Sequence, residues 1–489
     1  MSPLGTAVLV AYFATLLILS LYGCHRYHLL RLYRRTGGRN PRPIGRLDPL
    51  PPVTVQLPIY NELYVVERLI RAACALDYPA DRLEIQVIDD SDDETTALAA
   101  CLVSAMRRGG HDIVHLRRDG RDGFKAGALA YALGRARGEL IAVFDADFVP
   151  APGFLLEMVD PFGHPRVGMV QARWGHLNRD YSLLTRVQSI FLDGHFVIEH
   201  AARHRSGRFF NFNGTAGIWR KSCIESAGGW QADTLTEDLD LSYRAQLKGW
   251  QFVFLPEVVA PAELPADLDA FKSQQHRWAR GSIETARKIL PALLRARLPL
   301  AVKLEALIHL TNNGAYFLMV LLSLLIVPSM ILRRGVALPI LLLVDLPLFL
   351  LSTGAIWLFY FTSQRETGES RRSEFGRLPI LTSIGIGMAV NNARAVAGAL
   401  RRGRVEFVRT PKHDLRGTTG EWRNKRYRGR RQDLWTALEL LLGVYFTGSI
   451  VAALVTRQYA AIPFLLLFQG GYLTACLISL ARPPTLPHD

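Results

Sequence analysis

Long apolar stretches constrain the fold of this chain more than any other feature of its sequence. Each of five such stretches is long enough to cross a hydrocarbon core of about 30 Å as a helix. They are Leu4–Cys24, Ala306–Leu332, Val336–Thr362, Trp435–Val455 and Ala460–Leu480. The chain has 489 residues, 49% of them hydrophobic, which leaves room for these spans and one large polar domain. The sequence therefore predicts an integral membrane protein with about five spans.

Basic residues beside the spans predict the orientation of the chain. Residues 401–431 contain twelve Lys or Arg against three acids, and a positive-inside bias places them in the cytoplasm. That placement requires the sixth apolar stretch, Leu378–Leu400, not to cross, so we predict an interfacial amphipathic helix there. The stretch contains Asn391, Asn392 and Arg394, which also disfavours a span.

The first apolar stretch predicts a retained helix rather than a cleaved leader, because no Lys or Arg precedes it and a basic cluster follows it. The net charge of +15 is explained by these basic segments beside anionic lipid. Nucleic acid is therefore not a predicted partner. Five scattered cysteines, without CxxC spacing, indicate neither a zinc site nor a disulfide framework.

The polar region after the first span alternates short β-branched runs with helical stretches. This pattern predicts a mostly parallel sheet with helices on both faces. In such sheets, ligands bind beyond the carboxyl ends of the strands, and four acids follow strand ends here. The predicted strands are Val53–Leu57, Glu84–Asp89, Ile113–Leu116 and Leu140–Phe144, and the acids are Asp89, Asp90, Asp145 and Asp147.

Two of these acids form a candidate cation site. Asp145 and Asp147 lie two residues apart after an apolar run, so on an extended strand end they project to one side. Two adjacent carboxylates repel unless a cation lies near them, and a hard divalent ion with positions open for phosphates suits this pair. An acidic, solvated loop is the alternative interpretation. Lys125, after a glycine at a predicted helix start, is a candidate phosphate ligand.

Two further patterns have both a structural and a catalytic interpretation. Thr236-Glu237-Asp238 begins a helical run, where such residues commonly act as caps, but an acid near bound substrate also serves as a general base. In the stretch FKSQQHRWARG, Gln274 and Arg277 lie on one helical face. Arg277 suits a diphosphate and Trp278 offers a floor for a sugar ring. An interfacial tryptophan beside a snorkelling arginine is the alternative.

The ordered set Asp89/Asp90, DAD, TED and QQHRW resembles the D, DxD, TED, QxxRW series of processive family-2 glycosyltransferases, the cellulose and hyaluronan synthases and cellulose-synthase-like proteins. The stretches FNGTAGIWRKSCIESAGGW and TEDLDLSYRAQLKGWQFVFLPE are most similar to the cellulose-synthase-like A and C groups, which make mannan, glucomannan and glucan backbones. FVRTPK, from Phe407 to Lys412, resembles the FxVTxK gating loop of that family, with Arg409 in place of valine. The resemblance implies a GT-A-type α/β domain inserted between transmembrane helices.

The resemblance also implies a role for each candidate residue. Asp238 is expected to be the catalytic base, and Mg²⁺ or Mn²⁺ is expected on Asp145 and Asp147. The expected nucleotide-sugar ligands are Asp89, Asp90, Lys125, Asp145, Gln274 and Arg277. The expected acceptor and sugar pocket contains Trp278, Asn213, Gly214, Thr215 and Glu237. The expected gating-loop residues are Phe407, Thr410 and Lys412.

These inferences predict the following division of the chain. Residues 1–25 form a transmembrane helix, 26–50 a basic cytoplasmic linker, 51–295 the catalytic domain with interfacial helices at its end, 306–362 a transmembrane hairpin, 377–400 the interfacial helix, 401–432 the cytoplasmic gating-loop segment, 433–481 a second hairpin and 482–489 a tail.

The predicted function is polymerisation of a β-linked glucan or mannan from UDP-glucose or GDP-mannose, with translocation of the growing chain across a bacterial inner membrane or a Golgi membrane. Asn312, Asn313 and Tyr316 are candidate lining residues of a channel, or else polar helix-packing residues. One alternative is transfer of a single sugar to a membrane lipid such as ceramide or diacylglycerol. The other alternative is a non-catalytic transporter or scaffold. A transporter should concentrate its polar residues within its spans, whereas here the carboxylates lie in the polar domain.

Overall fold

The computed structural model describes residues 2–37, 47–368, 371–401, 408–427 and 433–480. Seven strands form one sheet in the order β3-β2-β1-β4-β6-β5-β7. The first four strands in that order are parallel, and β6 runs antiparallel to both β4 and β5. The strands are β1 Val53–Ile59, β2 Leu83–Asp89, β3 Ile113–Arg117, β4 Leu140–Val143, β5 Val167–His176, β6 Gly217–Arg220 and β7 Gln251–Ala262.

Helices cover both faces of the sheet, and apolar residues of the strands alternate between two cores. Val55, Leu57 and Leu140 contribute to one core, and Ile141 and Val143 to the other. The helices are α1 Pro3–Arg35, α2 Val66–Cys74, α3 Thr95–Arg108, α4 Phe124–Leu133, α5 Phe154–Met158, α6 Leu183–Asp193, α7 Ala201–Arg205, α8 Lys221–Ser226, α9 Glu237–Leu247, α10 Leu268–Arg295, α11 Leu300–Thr311, α12 Ala315–Leu332, α13 Leu338–Phe349, α14 Ala355–Glu366, α15 Arg371–Gly387, α16 Ala389–Leu400, α17 Asp433–Val455 and α18 Ile462–Leu480. The predicted α/β domain and its mostly parallel sheet are confirmed.

Five helical segments within the described residues are long and apolar enough to cross a membrane, as the sequence predicted. They are Pro3–Arg35, Leu300–Leu332, Pro339–Glu366, Leu434–Val455 and Tyr459–Leu480. The first extends past residue 25, where the linker was predicted to begin, because Leu29 and Leu30 remain buried against apolar residues that include Ile198 and Phe359. Apolar contacts on one face thus continue the helix to Arg35.

The region predicted as one interfacial helix, 377–400, contains parts of two helices that meet at Met388. Helix α15 packs closely on α18: a Cβ on Gly387 would lie 2.6 Å from the carbonyl oxygen of Gly471. Helix α16 buries Asn391, whose amide donates to the carbonyl of Lys272 in α10 at 2.9 Å. Asn391, one of the polar residues that argued against a span, therefore joins α16 to the helix that carries the QxxRW motif.

Candidate functional site

The carboxyl end of β2 brings one of its two aspartates to a cavity at the edge of the sheet. Asp90 lines this cavity and is held by Arg118 through two hydrogen bonds, of 2.8 and 2.6 Å. Asp89 is buried behind it, where it accepts a 2.8 Å hydrogen bond from the Ser91 amide and lies 2.9 Å from Nε2 of His115. Of the two aspartates predicted to bind the nucleotide sugar, only Asp90 lines the cavity. Asp89 instead supports the turn after β2 through Ser91 and His115.

The end of β4 carries the two acids of the predicted cation site, and each faces a lysine. Nζ of Lys125 lies 2.5 Å from Asp145, and Nζ of Lys412 lies 2.6 Å from Asp147. Burial raises the pKa of Asp145, and the charge of Lys125 opposes that rise. Both carboxylates line the cavity. Their charge at this edge is compensated by ammonium groups from two distant parts of the chain.

Asp145 and Asp147 fit a divalent cation that shares its coordination with a ligand. The described residues contain no group of three or more His, Cys, Asp or Glu side chains arranged to hold a metal. A Mg²⁺ or Mn²⁺ ion bound through one or two carboxylates completes its shell with water and substrate phosphates. The chemistry of this pair therefore agrees with an ion that binds together with a diphosphate.

Helix α9 begins with the second acidic motif, and both of its carboxylates line the same cavity. Burial, followed by the nearby charge of Glu237, raises the pKa of Asp238 to about 7. Burial also raises the pKa of Glu237. Gly214 makes room for the site, since it has a φ of +80° and a Cβ there would lie 3.0 Å from Oδ2 of Asp238. A buried carboxylate with this pKa suits a general base near neutral pH.

Helix α10 presents Gln274, Arg277 and Trp278 to the cavity. Burial lowers the pKa of the Arg277 guanidinium, and Nη1 donates to the carbonyl of Val408 at 2.8 Å. Gly281, one turn beyond the tryptophan, lets the helix approach the start of α9, because a Cβ there would lie 2.6 Å from a methyl carbon of Thr236. The TED motif therefore contacts α10 directly, one turn beyond the QxxRW motif.

The segment after residue 407 lies over the acids and brings Thr410 and Lys412 to the cavity. Its position is fixed by the buried carboxylate of Glu263, which accepts the His413 amide at 2.6 Å and pairs with Arg68 at 2.8 Å. Arg68 also bonds Asp414 at 2.6 Å. The segment is thus tied to the end of β7 and to α2. Phe407, the first residue of the predicted gating loop, lies outside the described residues.

Asn213 and Thr215, on either side of Gly214, have different positions. Asn213 lines the cavity. Thr215 is fully buried and its hydroxyl accepts the backbone N–H of Asp145 at 2.8 Å. Thr215 therefore supports the acidic strand end from behind.

The cavity has a volume of about 180 Å³, and it gathers residues that lie up to hundreds of positions apart in the chain. Trp278, Asp147 and Asp238 face it together, as the sequence argument required. The predicted residues that line it are Asp90, Lys125, Asp145, Asp147, Asn213, Gly214, Glu237, Asp238, Gln274, Arg277, Trp278, Thr410 and Lys412.

Sequence reasoning missed several residues that also line the cavity, among them Tyr60, Glu62, Arg121 and Trp174. Arg409, which departs from the gating-loop pattern, lines it as well. Burial raises the pKa of Glu62 to about 7. The Arg121 guanidinium lies 3.2 Å from the centroid of the Tyr60 ring. The stretch YNE, residues 60–62, directly follows β1. The strand-end rule that selected the aspartates would therefore have selected Tyr60 and Glu62 as well.

Comparison with known proteins is consistent with this geometry. Residues 51–281 match the model of "Glycosyltransferase like family 2". The chain is 45% identical over 252 residues to "Probable glucomannan 4-beta-mannosyltransferase 7" of Oryza sativa subsp. japonica, covering 50% of this chain and 43% of that protein. It is 43% identical over 250 residues to "Glucomannan 4-beta-mannosyltransferase 2" of Arabidopsis thaliana, covering 50% of this chain and 47% of that protein. The matched region thus spans about half the length of these relatives.

A solved structure, titled "Mannosyltransferase PcManGT from Pyrobaculum calidifontis in complex with GDP-Man and Mn2+", is 22% identical and covers 77% of this chain and 96% of that one, with a TM-score of 0.49. A TM-score of 0.49 supports no inference about the fold or the ligand of this chain. The family model and the identity to the plant relatives bear on the region that forms the cavity, and they confirm the predicted resemblance. Residues 51–281 are a family-2 glycosyltransferase domain.

Proposed function

We propose that this chain is a membrane-embedded, inverting hexosyltransferase that extends a β-linked polysaccharide of the mannan type, with GDP-mannose as donor. The observation that carries the proposal is the convergence on one cavity of Asp90, the Asp145–Asp147 pair, Asp238 and the Gln274–Trp278 face of α10. The names of the plant relatives, glucomannan 4-beta-mannosyltransferases, favour mannose over the equally predicted glucose.

Each group has a task in an inverting displacement. Asp238 takes the proton of the acceptor hydroxyl as that oxygen attacks the anomeric carbon. Lys125 and Arg277 bind the diphosphate and stabilise its charge as it leaves. A divalent cation on Asp145 and Asp147, when bound, adds Lewis-acid stabilisation of the same phosphates. Trp278 presents the terminal acceptor sugar on its ring face. Because the hydroxyl enters opposite the departing nucleotide, an α-linked donor gives a β-linked product.

A second cavity supports translocation of the product. It has a volume of about 650 Å³, lies among the candidate spans and is lined by Asn312, Asn313 and Tyr316 together with many apolar residues. These three residues were the candidate channel lining in the sequence. We therefore propose that the extended chain leaves the membrane through this cavity, from a cytoplasmic catalytic domain to the opposite side. The positive-inside bias of residues 401–431 supports this orientation in a bacterial or a Golgi membrane.

The proposal is tested by incubating membranes that contain the protein with labelled GDP-mannose, UDP-glucose, UDP-galactose and UDP-N-acetylglucosamine in separate reactions. Label from GDP-mannose in β-mannanase-sensitive, high-molecular-weight material is the expected result. A single labelled glycolipid band would favour the lipid acceptor instead. Absence of transfer from every donor would contradict a glycosyltransferase activity.

The role of Asp238 is tested by Asp238→Asn. An amide of the same shape cannot accept the proton, so we expect transfer to fall at least ~100-fold, within the usual range for loss of a general base. Binding of GDP should remain within threefold of wild type, measured by titration. Asp180→Asn, an exposed aspartate paired with Arg186, is the matched control. Near-normal polymerisation by the Asp238 variant would refute the assignment.

A further inference from the structure

Arg118 joins the end of β2 to the turn that precedes α4. Its Nε and Nη2 donate to the two carboxylate oxygens of Asp90, at 2.8 and 2.6 Å. Its Nη1 donates to the carbonyl of Asp122 at 2.6 Å, and Nη2 also donates to the carbonyl of Phe124 at 2.8 Å. One guanidinium has five N–H groups, and the protein thus uses most of them here. Because this fork is planar and rigid, it fixes Asp90 and the turn relative to each other.

The turn that Arg118 holds has an unusual backbone conformation. Gly123 has a φ of +72° and Phe124 has a φ of +48°. A positive φ is rare for a side chain as bulky as phenylalanine, and such strain persists only where neighbouring groups hold it. Arg118 is one of those groups, because it binds the carbonyls of Asp122 and Phe124, on either side of the glycine. Helix α4 begins at Phe124, so the turn also sets the position of Lys125.

The guanidinium lies behind the wall of the cavity. The side chain of Arg118 is 10% exposed and that of Asp90 is 6% exposed. Helix α4 leaves room for the guanidinium at Gly127, where a Cβ would lie 2.6 Å from Nη1. Asp90 and Lys125 both line the cavity, whereas Arg118 is not one of the described residues that line it. Arg118 therefore acts on a bound ligand through the residues that it holds.

Lys125 depends on the position of α4 for the placement of its charge. Its Nζ lies 2.5 Å from Asp145 and donates to the carbonyl of Gly214 at 2.9 Å. A lysine carries a compact charge on a flexible stem, so the start of the helix decides which acceptors the ammonium reaches. A shift of the turn would move the ammonium away from both of these groups and from a diphosphate bound beside them.

We propose that Arg118 is a positioning residue for donor binding, which holds Asp90 and Lys125 in one fixed arrangement. The inference rests on the proposed function, in which Lys125 binds the diphosphate and Asp90 is a further ligand of the nucleotide sugar. Two donor ligands, one at the end of β2 and one at the start of α4, then depend on a side chain outside the cavity. Loss of Arg118 weakens both contacts at once.

The test measures the dissociation constant of GDP by calorimetric titration of the full-length protein in nanodiscs. Arg118→Met removes the guanidinium and keeps an unbranched side chain. We expect this variant to raise the Kd of GDP about tenfold, the effect of one lost hydrogen bond to a charged group.

Arg220→Met is the matched control. Arg220 lies opposite Leu140, at the start of β4 and hence away from the carboxyl ends of the parallel strands. It likewise bonds one carboxylate and two carbonyls, those of Glu139, Val167 and Phe162. Its replacement should leave the Kd of GDP within about twofold of wild type, since the two sites share no partner.

Two double variants separate positioning from general damage to the fold. Arg118→Met is combined with Asp90→Asn and, separately, with Lys125→Met. In each combination the added loss of GDP affinity should be at least about threefold smaller than the loss in wild type, because part of what Arg118 positions is already gone. Damage to the fold alone would raise Kd by the same factor in all three backgrounds.

Arg118→Lys is the conservative variant. It keeps a charge beside Asp90, but its single ammonium cannot bond the carboxylate and both carbonyls of the turn together. We expect its Kd for GDP to lie between those of wild type and Arg118→Met. If Arg118→Met does not accumulate, Arg118→Lys takes its place in both combinations.

The outcomes separate this inference from the proposed function. Wild-type protein that neither binds GDP nor transfers mannose from GDP-mannose overturns the proposed function, on which the inference rests. Wild-type binding with an unchanged Kd in Arg118→Met, or with equal losses in all three backgrounds, overturns the positioning role alone. A loss that shrinks beside Asp90→Asn but not beside Lys125→Met overturns the link to the lysine. A loss that shrinks in both combinations supports the inference.

Discussion

Gly281 lies where the start of α9 leaves no room for a side chain on α10. A Cβ there would lie 2.8 Å from the backbone nitrogen of Thr236, 0.6 Å short of the 3.4 Å at which ordinary contact begins. Because the neighbour is backbone, the two helices themselves must move apart. Gly281→Ala therefore displaces the Gln274–Trp278 face of α10 from Glu237 and Asp238 by about 0.6 Å.

The displacement should lower activity beyond any loss of folded protein. Overpacking a core costs about 1–3 kcal/mol, while alanine is favoured over glycine in a helix by about 1 kcal/mol. The net loss of stability is thus about 0–2 kcal/mol. Misplacement of reacting groups by about 1 Å costs roughly 100-fold in rate. For the smaller shift at Gly281, we expect kcat to fall about 10- to 100-fold.

The assay is the initial rate of sugar transfer by purified protein, normalised to the folded fraction from thermal unfolding of the same sample. Gly376→Ala is the matched control, since Gly376 is also helical, in α15, and nothing lies within 4 Å of a Cβ there. It should retain wild-type activity. If Gly281→Ala kept a wild-type kcat, or lost activity only in proportion to folded protein, the close contact of α9 and α10 would not govern catalysis.

Two further predictions concern charge in the cavity. Asp238 must be ionised to accept a proton, and its pKa is raised to about 7. We therefore expect kcat/KM to rise with pH through about 7 and to level off above it. A flat pH profile between about pH 5.5 and 8.5 would contradict the base role. Nζ of Lys412 lies 2.6 Å from Asp147, so removal of its charge should leave that carboxylate free for a cation. We expect Lys412→Met to bind Mn²⁺ more tightly in the absence of nucleotide, measured by electron paramagnetic resonance. An unchanged Mn²⁺ affinity would show that the lysine and the cation do not compete.

Local sequence patterns predicted the acidic edge of the site because strand ends are short-range features. The four parallel strands and the aspartates that follow them were readable from β-branched runs and the position of the acids. The same rule, applied to β1, would have added Glu62. Helix α10 and the loop after residue 407 were connected to this edge only through resemblance to a family, because no local pattern relates Trp278 to Asp147.

The supporting contacts were beyond prediction for a different physical reason. Glu263 holds the loop by accepting the His413 amide, and its partner Arg68 lies 195 residues earlier in the chain. The sequence around a single buried acid at a strand end does not predict which distant residue will pair with it. The π-helical turn at Gly194–His200 was not predicted either. It packs closely on Tyr360, which lies far along the chain, so no local pattern reveals that contact. These contacts depend on tertiary packing, which composition does not encode.

The geometry of the cavity links ligand binding to movement of the loop. A volume of about 180 Å³ is below the roughly 300 Å³ at which ligand pockets begin. The carbonyl of Val408 in the loop also accepts a hydrogen bond from Arg277, a proposed diphosphate ligand. Lys412 likewise pairs with Asp147, a proposed cation ligand. We therefore predict that a nucleotide sugar and its cation compete with these two contacts when they bind. A change that weakens the Lys412–Asp147 pair is then expected to favour binding of a cation at Asp147.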